Sequence, residues 1–211
     1  MLKLFVSAFI TLFVVLDPPG CAPIYAGLTA GANAAQRRAM AVRACFIAGV
    51  ILIVFALFGE NLLGALHIEL DSFRIAGGLM LFLIALDMVF EKRTQRREQR
   101  AEAVKAQSVH GPEVEDVSVF PMAMPMLAGP GAIATVMLLE GEAQGLRGSL
   151  IVLAALVAVL ALTLVALLAA APLMTLVGAK VEAVVTRVLG VLLGALAAQY
   201  VIDGLRGSFN V

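Results

Sequence analysis

Phe9 to Pro23 reads FITLFVVLDPPGCAP, and Phe120 to Ala134 reads FPMAMPMLAGPGAIA. A shift of 111 residues lays Phe9 on Phe120, Pro19 on Pro130 and Gly20 on Gly131. Further along, a shift of 113 lays Arg74, Ile75, Ala76 and Gly77 on Arg187, Val188, Leu189 and Gly190. The chain is therefore an internal duplication, and each copy interrupts an apolar run with a Pro-Gly turn. Proline donates no helical hydrogen bond and clashes with the turn before it, so the helix must break at both places. In a membrane such a break frees backbone groups that only protein, a water-filled cavity or a ligand can satisfy. Paired breaks in two halves therefore point to the binding site of a secondary transporter.

The surrounding composition calls for a membrane. Of 211 residues 62% are hydrophobic and 14% charged, with a mean hydropathy of +1.01, which leaves too little polar surface to coat a soluble globule. Uncharged stretches at 4–16, 44–59, 75–86, 117–139, 148–179 and 188–202 predict six spans once flanking residues that snorkel are counted. The expected fold is an all-α polytopic membrane protein: six transmembrane helices in two inverted three-helix repeats, with the first and fourth helices broken. Residues 1–90 form the first repeat and 119–211 the second. Residues 91–118 are a polar linker between them, rich in Arg, Glu and Gln, which a solvated face near anionic headgroups explains. The fifth span is expected to run unbroken from 150 to 177, with a local kink at Pro172, and the last from Val185 to about Leu205.

A formal net charge of zero gives no reason to expect nucleic acid, but its distribution is uneven. With six alternating spans, eleven of the 15 Lys and Arg fall in or beside the first, third and fifth loops. This puts those loops and the linker in the cytoplasm and both termini outside, in a multi-pass protein of the bacterial inner membrane. Three spans per repeat also require the two halves to insert in opposite orientations. The stretch before Cys21 is Pro18, Pro19 and Gly20, not a cleavage box, so the first segment is expected to be retained. Cys21 and Cys45 lie in apolar runs and read as small buried thiols, with no disulfide or metal pair.

Asp17 is the only ionisable residue between Leu4 and Gln36, roughly 20 Å in from the end of its helix at 1.5 Å per residue. A carboxylate at that depth costs on the order of 2.5 kcal/mol or more unless it faces a cavity or partner. It either contacts a substrate or ion, caps the half-helix that starts at Pro18 or Pro19, or does both. Gly20, Gly129 and Gly131, with small neighbours Cys21, Ala22, Ala132 and Ala134, permit sharp turns and close approach of a ligand to the main chain. Half-helices starting after Gly20 and Gly131 offer N–H groups and a positive dipole end to a carboxylate. The carbonyls ending the preceding half-helices suit an ammonium, so a zwitterion fits both. Thr135 lies one turn beyond Gly131 and is the best further candidate for the pocket wall. Tyr25 and Gln199 could line the cavity or bridge helices, while Arg43 and Arg74 read as snorkelling ends, and Asp87 and Asp203 as interfacial acids. There is no phosphate loop, metal-ligand cluster or nucleophile elbow, so neither an enzyme nor a cofactor is expected.

At these residues the chain resembles the MarC family (UPF0056) of six-span bacterial inner-membrane proteins. The resemblance rests on Asp17-Pro18-Pro19-Gly20 followed by Pro23, on Arg37, Arg38 and Arg43, and on Phe120-Pro121 with Pro125 through Ile133. The family pattern more often has Asn where Cys21 stands. The resemblance implies a place in the LysE-like exporter superfamily, some of whose members are regarded as carriers of glycine and alanine. The resulting expectation is a gradient-coupled carrier of small neutral amino acids. Its cradle comprises Asp17, Pro18, Pro19, Gly20, Cys21, Gly129, Pro130, Gly131, Ala132 and Thr135, at the midplane between the broken helices. Its expected partners are a small zwitterionic solute, a coupling proton or sodium ion, the lipid bilayer and a second copy of itself. A cation or metal-ion exporter would want more deep acids, and a lipid-modifying intramembrane enzyme would want a base, nucleophile or metal near the interface.

Overall fold

The computed structural model describes residues 1–90, 116–143 and 145–209, so most of the linker, His110 included, lies outside the described residues. Eight helical elements follow one another: α1 (Leu2–Leu16), α2 (Pro18–Leu28), α3 (Ala34–Ala65), α4 (Leu70–Val89), α5 (Ser118–Leu127), α6 (Pro130–Glu142), α7 (Gly145–Leu168) and α8 (Ala170–Phe209). Among the described residues there is no strand. Five apolar spans are long enough to cross a bilayer, or six when α5 and α6 are taken as one bent span.

The two breaks differ in kind. At the first, Asp17 alone adopts the left-handed conformation (φ 54°, ψ 62°), and α1 and α2 continue as one apolar span, Leu2–Leu28. At the second, α5 and α6 are bent by 54°. Pro121 and Pro125 remove donors inside α5, Phe120 and Met124 are extended, and wide bonds such as Ala128 N–H to the Ala123 carbonyl at 2.8 Å replace the helical ladder. Three prolines in ten residues account for the larger distortion.

The fifth span departs from expectation. It ends at Leu168 rather than near residue 177, and α8 starts at Ala170 and runs for 40 residues. Pro172 has no N–H to offer the carbonyl four residues back, that of Leu168, and sits well in the first turn of the next helix. The predicted kink is a helix end. At the start of α3 a capping box joins Asn33 and Gln36, which lets the helix begin ahead of its arginines.

The principal packed pairs are α1 with α7, α3 with α5, α3 with α6, α3 with α7, α2 with α7, α2 with α8, α4 with α6, and α4 with α8. Contact between α4 and α8 is the most extensive and is made possible by glycine. A Cβ on Gly78 would come within 2.9 Å of the Ala197 carbonyl oxygen, and one on Gly204 within 2.7 Å of the Asp71 carbonyl oxygen. Leu12, Leu16, Leu52, Leu138 and Leu156 fill the buried centre, while Phe46, Phe58 and Phe90 are exposed, as lipid-facing residues of a membrane helix are.

Candidate functional site

Asp17 is buried, with 1% of its surface exposed, at the junction of α1 and α2. Its Oδ1 accepts the Gly20 N–H at 3.2 Å, and its carbonyl oxygen accepts the Cys21 N–H at 3.0 Å. Because Pro18 and Pro19 have no N–H, these two bonds take up the donors of the first turn of α2. The carboxylate therefore serves as an N-cap, one of the two roles its position allowed. Gly20 is required by this closure: a Cβ there would lie 2.3 Å from Asp17 Oδ2. The small residue makes room for the aspartate rather than for a ligand in this arrangement. The Cys21 thiol reaches the Leu16 carbonyl at 3.5 Å, so the position where the family pattern has Asn still supplies a donor to the end of α1.

The second break is built differently. Gly129 is extended ahead of Pro130, and no side chain caps α6. The Gly129 carbonyl accepts from Ile133 N–H at 3.0 Å, and the first-turn N–H groups belong to Gly131 and Ala132. Gly129 is tightly held, since a Cβ would meet the Pro125 carbonyl oxygen at 2.4 Å. Gly131 lies against α4, where a Cβ would meet Ile84 Cδ1 at 2.2 Å. Thr135 is fully buried and its hydroxyl donates to the Gly131 carbonyl at 2.7 Å. It closes its own helical turn. Packing of α1 on α6 brings the two broken helices into contact, and each set of predicted residues is gathered around its own break.

Several polar residues play other parts than the sequence suggested. Arg43, read as a snorkelling end, pairs with Asp116 just ahead of α5. Arg74 pairs with Asp71 at 2.8 Å. Gln199 donates to Asp203 one turn along its own helix at 2.8 Å, on the exposed side of α8. Burial raises the Asp116 carboxyl, but hydrogen bonding from Ser118 and the Arg43 guanidinium outweigh it and hold the group below its ordinary value. Tyr25 bridges helices, its hydroxyl donating to the Arg37 carbonyl. It also borders a cavity of about 320 Å³ between α2, α3 and the junction of α7 with α8, which is not the midplane cavity expected between the two breaks. Neither Arg37 nor Arg38 had been placed at a site by sequence reasoning. The available signal was Tyr25 and Thr29 spaced by four on α2, a short loop ahead of two arginines.

A chain-length match decides the relationship. The model of the MarC family of integral membrane proteins matches residues 2–209. The chain belongs to the MarC family. Among curated relatives, the UPF0056 membrane protein MJ1677 of Methanocaldococcus jannaschii is 35% identical over 98% of both chains. The UPF0056 membrane protein YvbG of Bacillus subtilis is 34% identical over 100% of this chain and 98% of its own. The UPF0056 inner membrane protein YhgN of Escherichia coli K12 is 32% identical over 95% of both. No solved structure matches. MarC-family membership and the apolar spans together make this a multi-pass membrane protein.

Proposed function

We propose that this MarC-family protein is a gradient-coupled carrier of small neutral amino acids, with glycine and alanine as the size class. The observation that carries the reading is Asp17, a 1%-exposed carboxylate in the middle of the 27-residue span Leu2–Leu28. An acid held there against a cost of several kcal/mol is retained for what it binds or for the proton it moves. Its cap bond to Gly20 makes it both the closure of the resting break and a group that can be drawn away by a ligand ammonium or a coupling ion. Opposite, the uncapped start of α6 at Gly131 and Ala132 offers N–H groups and a positive dipole end to a carboxylate. In this reading Pro18, Pro19, Cys21, Gly129 and Pro130 shape the two turns, and Thr135 borders the pocket.

Transport follows from two halves rocking about that midplane site. The packing pairs support a repeat. Exchanging α1 and α2 for α5 and α6, α3 for α7 and α4 for α8 turns the pairs α1–α7, α2–α7 and α2–α8 into α5–α3, α6–α3 and α6–α4, all of which are packed. With three spans per half the repeats insert in opposite senses. The charge bias then puts the Arg37 end in the cytoplasm and both termini outside, in an inner membrane.

Proteoliposomes containing the purified protein test this reading through uptake of radiolabelled glycine and alanine, with and without a proton or sodium gradient. The expected result is saturable uptake that rises when a gradient is imposed. Absence of uptake for either amino acid from folded protein, together with flux of a metal cation, would replace the reading with a cation exporter.

A further inference from the structure

The cavity beside Tyr25 lies about eight residues, or roughly 12 Å of helix, from Asp17, and is separate from both helix breaks. Its walls come from both halves of the molecule: Tyr25, Ala26 and Thr29 on α2, Arg37 and Arg38 at the start of α3, and Leu167 near the end of α7. At about 320 Å³ it falls within the size of small-molecule sites, about 300 to 1,000 Å³. Its hydrogen-bonding character is one-sided. The Thr29 hydroxyl donates to the Tyr25 carbonyl at 2.8 Å and the Tyr25 hydroxyl to the Arg37 carbonyl, so both hydroxyl hydrogens are taken by backbone. The guanidinium groups of Arg37 and Arg38 remain as donors, and among the described residues neither is in an ion pair. Among the described residues no carboxylate lines the cavity. Asp116, just ahead of α5, is matched by Arg43.

We propose that this cavity is an anion-recognition site in which Arg37 and Arg38 receive the carboxylate of a small solute, its short apolar body lying against Ala26 and Leu167. Two guanidiniums over an apolar floor favour a carboxylate with a small tail and disfavour a free amine or metal cation. A zwitterion docks with its carboxylate inward and its ammonium toward water. As a vestibule for the Asp17 break the site rests on the carrier reading; as a carboxylate site it does not.

Fluorine NMR of trifluoroacetate added to the protein in phosphatidylcholine nanodiscs tests it without any flux measurement. The expected result is saturable line broadening that alanine and acetate relieve, with trifluoroethanol and trifluoroethylamine unaffected. Binding weakens about tenfold when Arg37→Gln and Arg38→Gln are combined, the loss of charge-assisted hydrogen bonds being worth that much. Ala26→Leu fills the cavity without touching either charge and also weakens binding, whereas Asp17→Asn does not. Broadening that is absent, equal for the alcohol or amine, or unchanged in both the arginine and Ala26 variants would overturn the proposal. Loss of broadening when phosphatidylglycerol is included in the disc would identify a lipid headgroup as the occupant and overturn the assignment to a solute. Binding that holds while amino-acid flux is absent would leave this site standing and remove the carrier reading alone.

Discussion

At the scale of single residues, Asp17 combines two demands that few side chains meet together. It occupies a left-handed backbone conformation, which Asn and Asp tolerate better than other residues with a Cβ, and its oxygen caps the helix that follows. Asp17→Ala loses both and is expected to destabilise the protein by about 1 to 2 kcal/mol, read as unfolding in detergent. Asp17→Asn keeps an acceptor for the Gly20 N–H and is expected to unfold within about 0.5 kcal/mol of the parent. A second prediction concerns Asp116, whose carboxyl is held below its ordinary value in the folded protein. A depressed folded value means that the stabilisation is present above the unfolded carboxylate value, about 3.9, and is lost as pH falls through the folded one. Melting temperature recorded across that acid limb should therefore fall less steeply in Asp116→Asn, by a small margin that shrinks in salt, because both partners of the pair are substantially exposed.

At the scale of elements, the glycines of α4 and α8 set how closely the two helices approach. Gly78→Ala would push a methyl against the Ala197 carbonyl oxygen and the Val201 nitrogen at 2.9 and 3.0 Å. These are backbone atoms that move only with their helix, so a cost of about 1 to 3 kcal/mol is expected. Gly64→Ala, with nothing within 4 Å of its Cβ, is expected to be neutral or to stabilise by about 0.5 to 1 kcal/mol. Chemical unfolding of the two variants side by side measures the difference. Much of this level was legible beforehand. The breaks at Asp17 and before Pro130 and the role of Asp17 as a cap follow from residue types whose backbone behaviour is local. The end of α7 at Leu168 was misplaced because an apolar run hides a proline's effect on the carbonyl four residues earlier. The ion pair of Arg43 with Asp116 joins residues 73 apart, and no local pattern announces it.

At the scale of the whole molecule, the proposed carrier is two repeats whose packing pairs exchange with one another and whose working part lies between them. The site itself was only half legible. Sequence located both breaks, but it could not show that Gly20 is filled by Asp17 or that Gly131 is filled by Ile84. Nor could it show that a cavity lies at the other end of α2 beside Arg37. Those facts depend on which distant side chains meet; under the proposed carrier reading, a solute received at the arginines would travel along α2 to a break closed by its own carboxylate. The decisive measurement is gradient-driven accumulation of radiolabelled alanine in proteoliposomes by the parent protein and by Asp17→Asn. Accumulation by the parent and its loss in the variant at matched folding are expected. Accumulation of equal size in both would reduce Asp17 to a helix cap and contradict its role in transport.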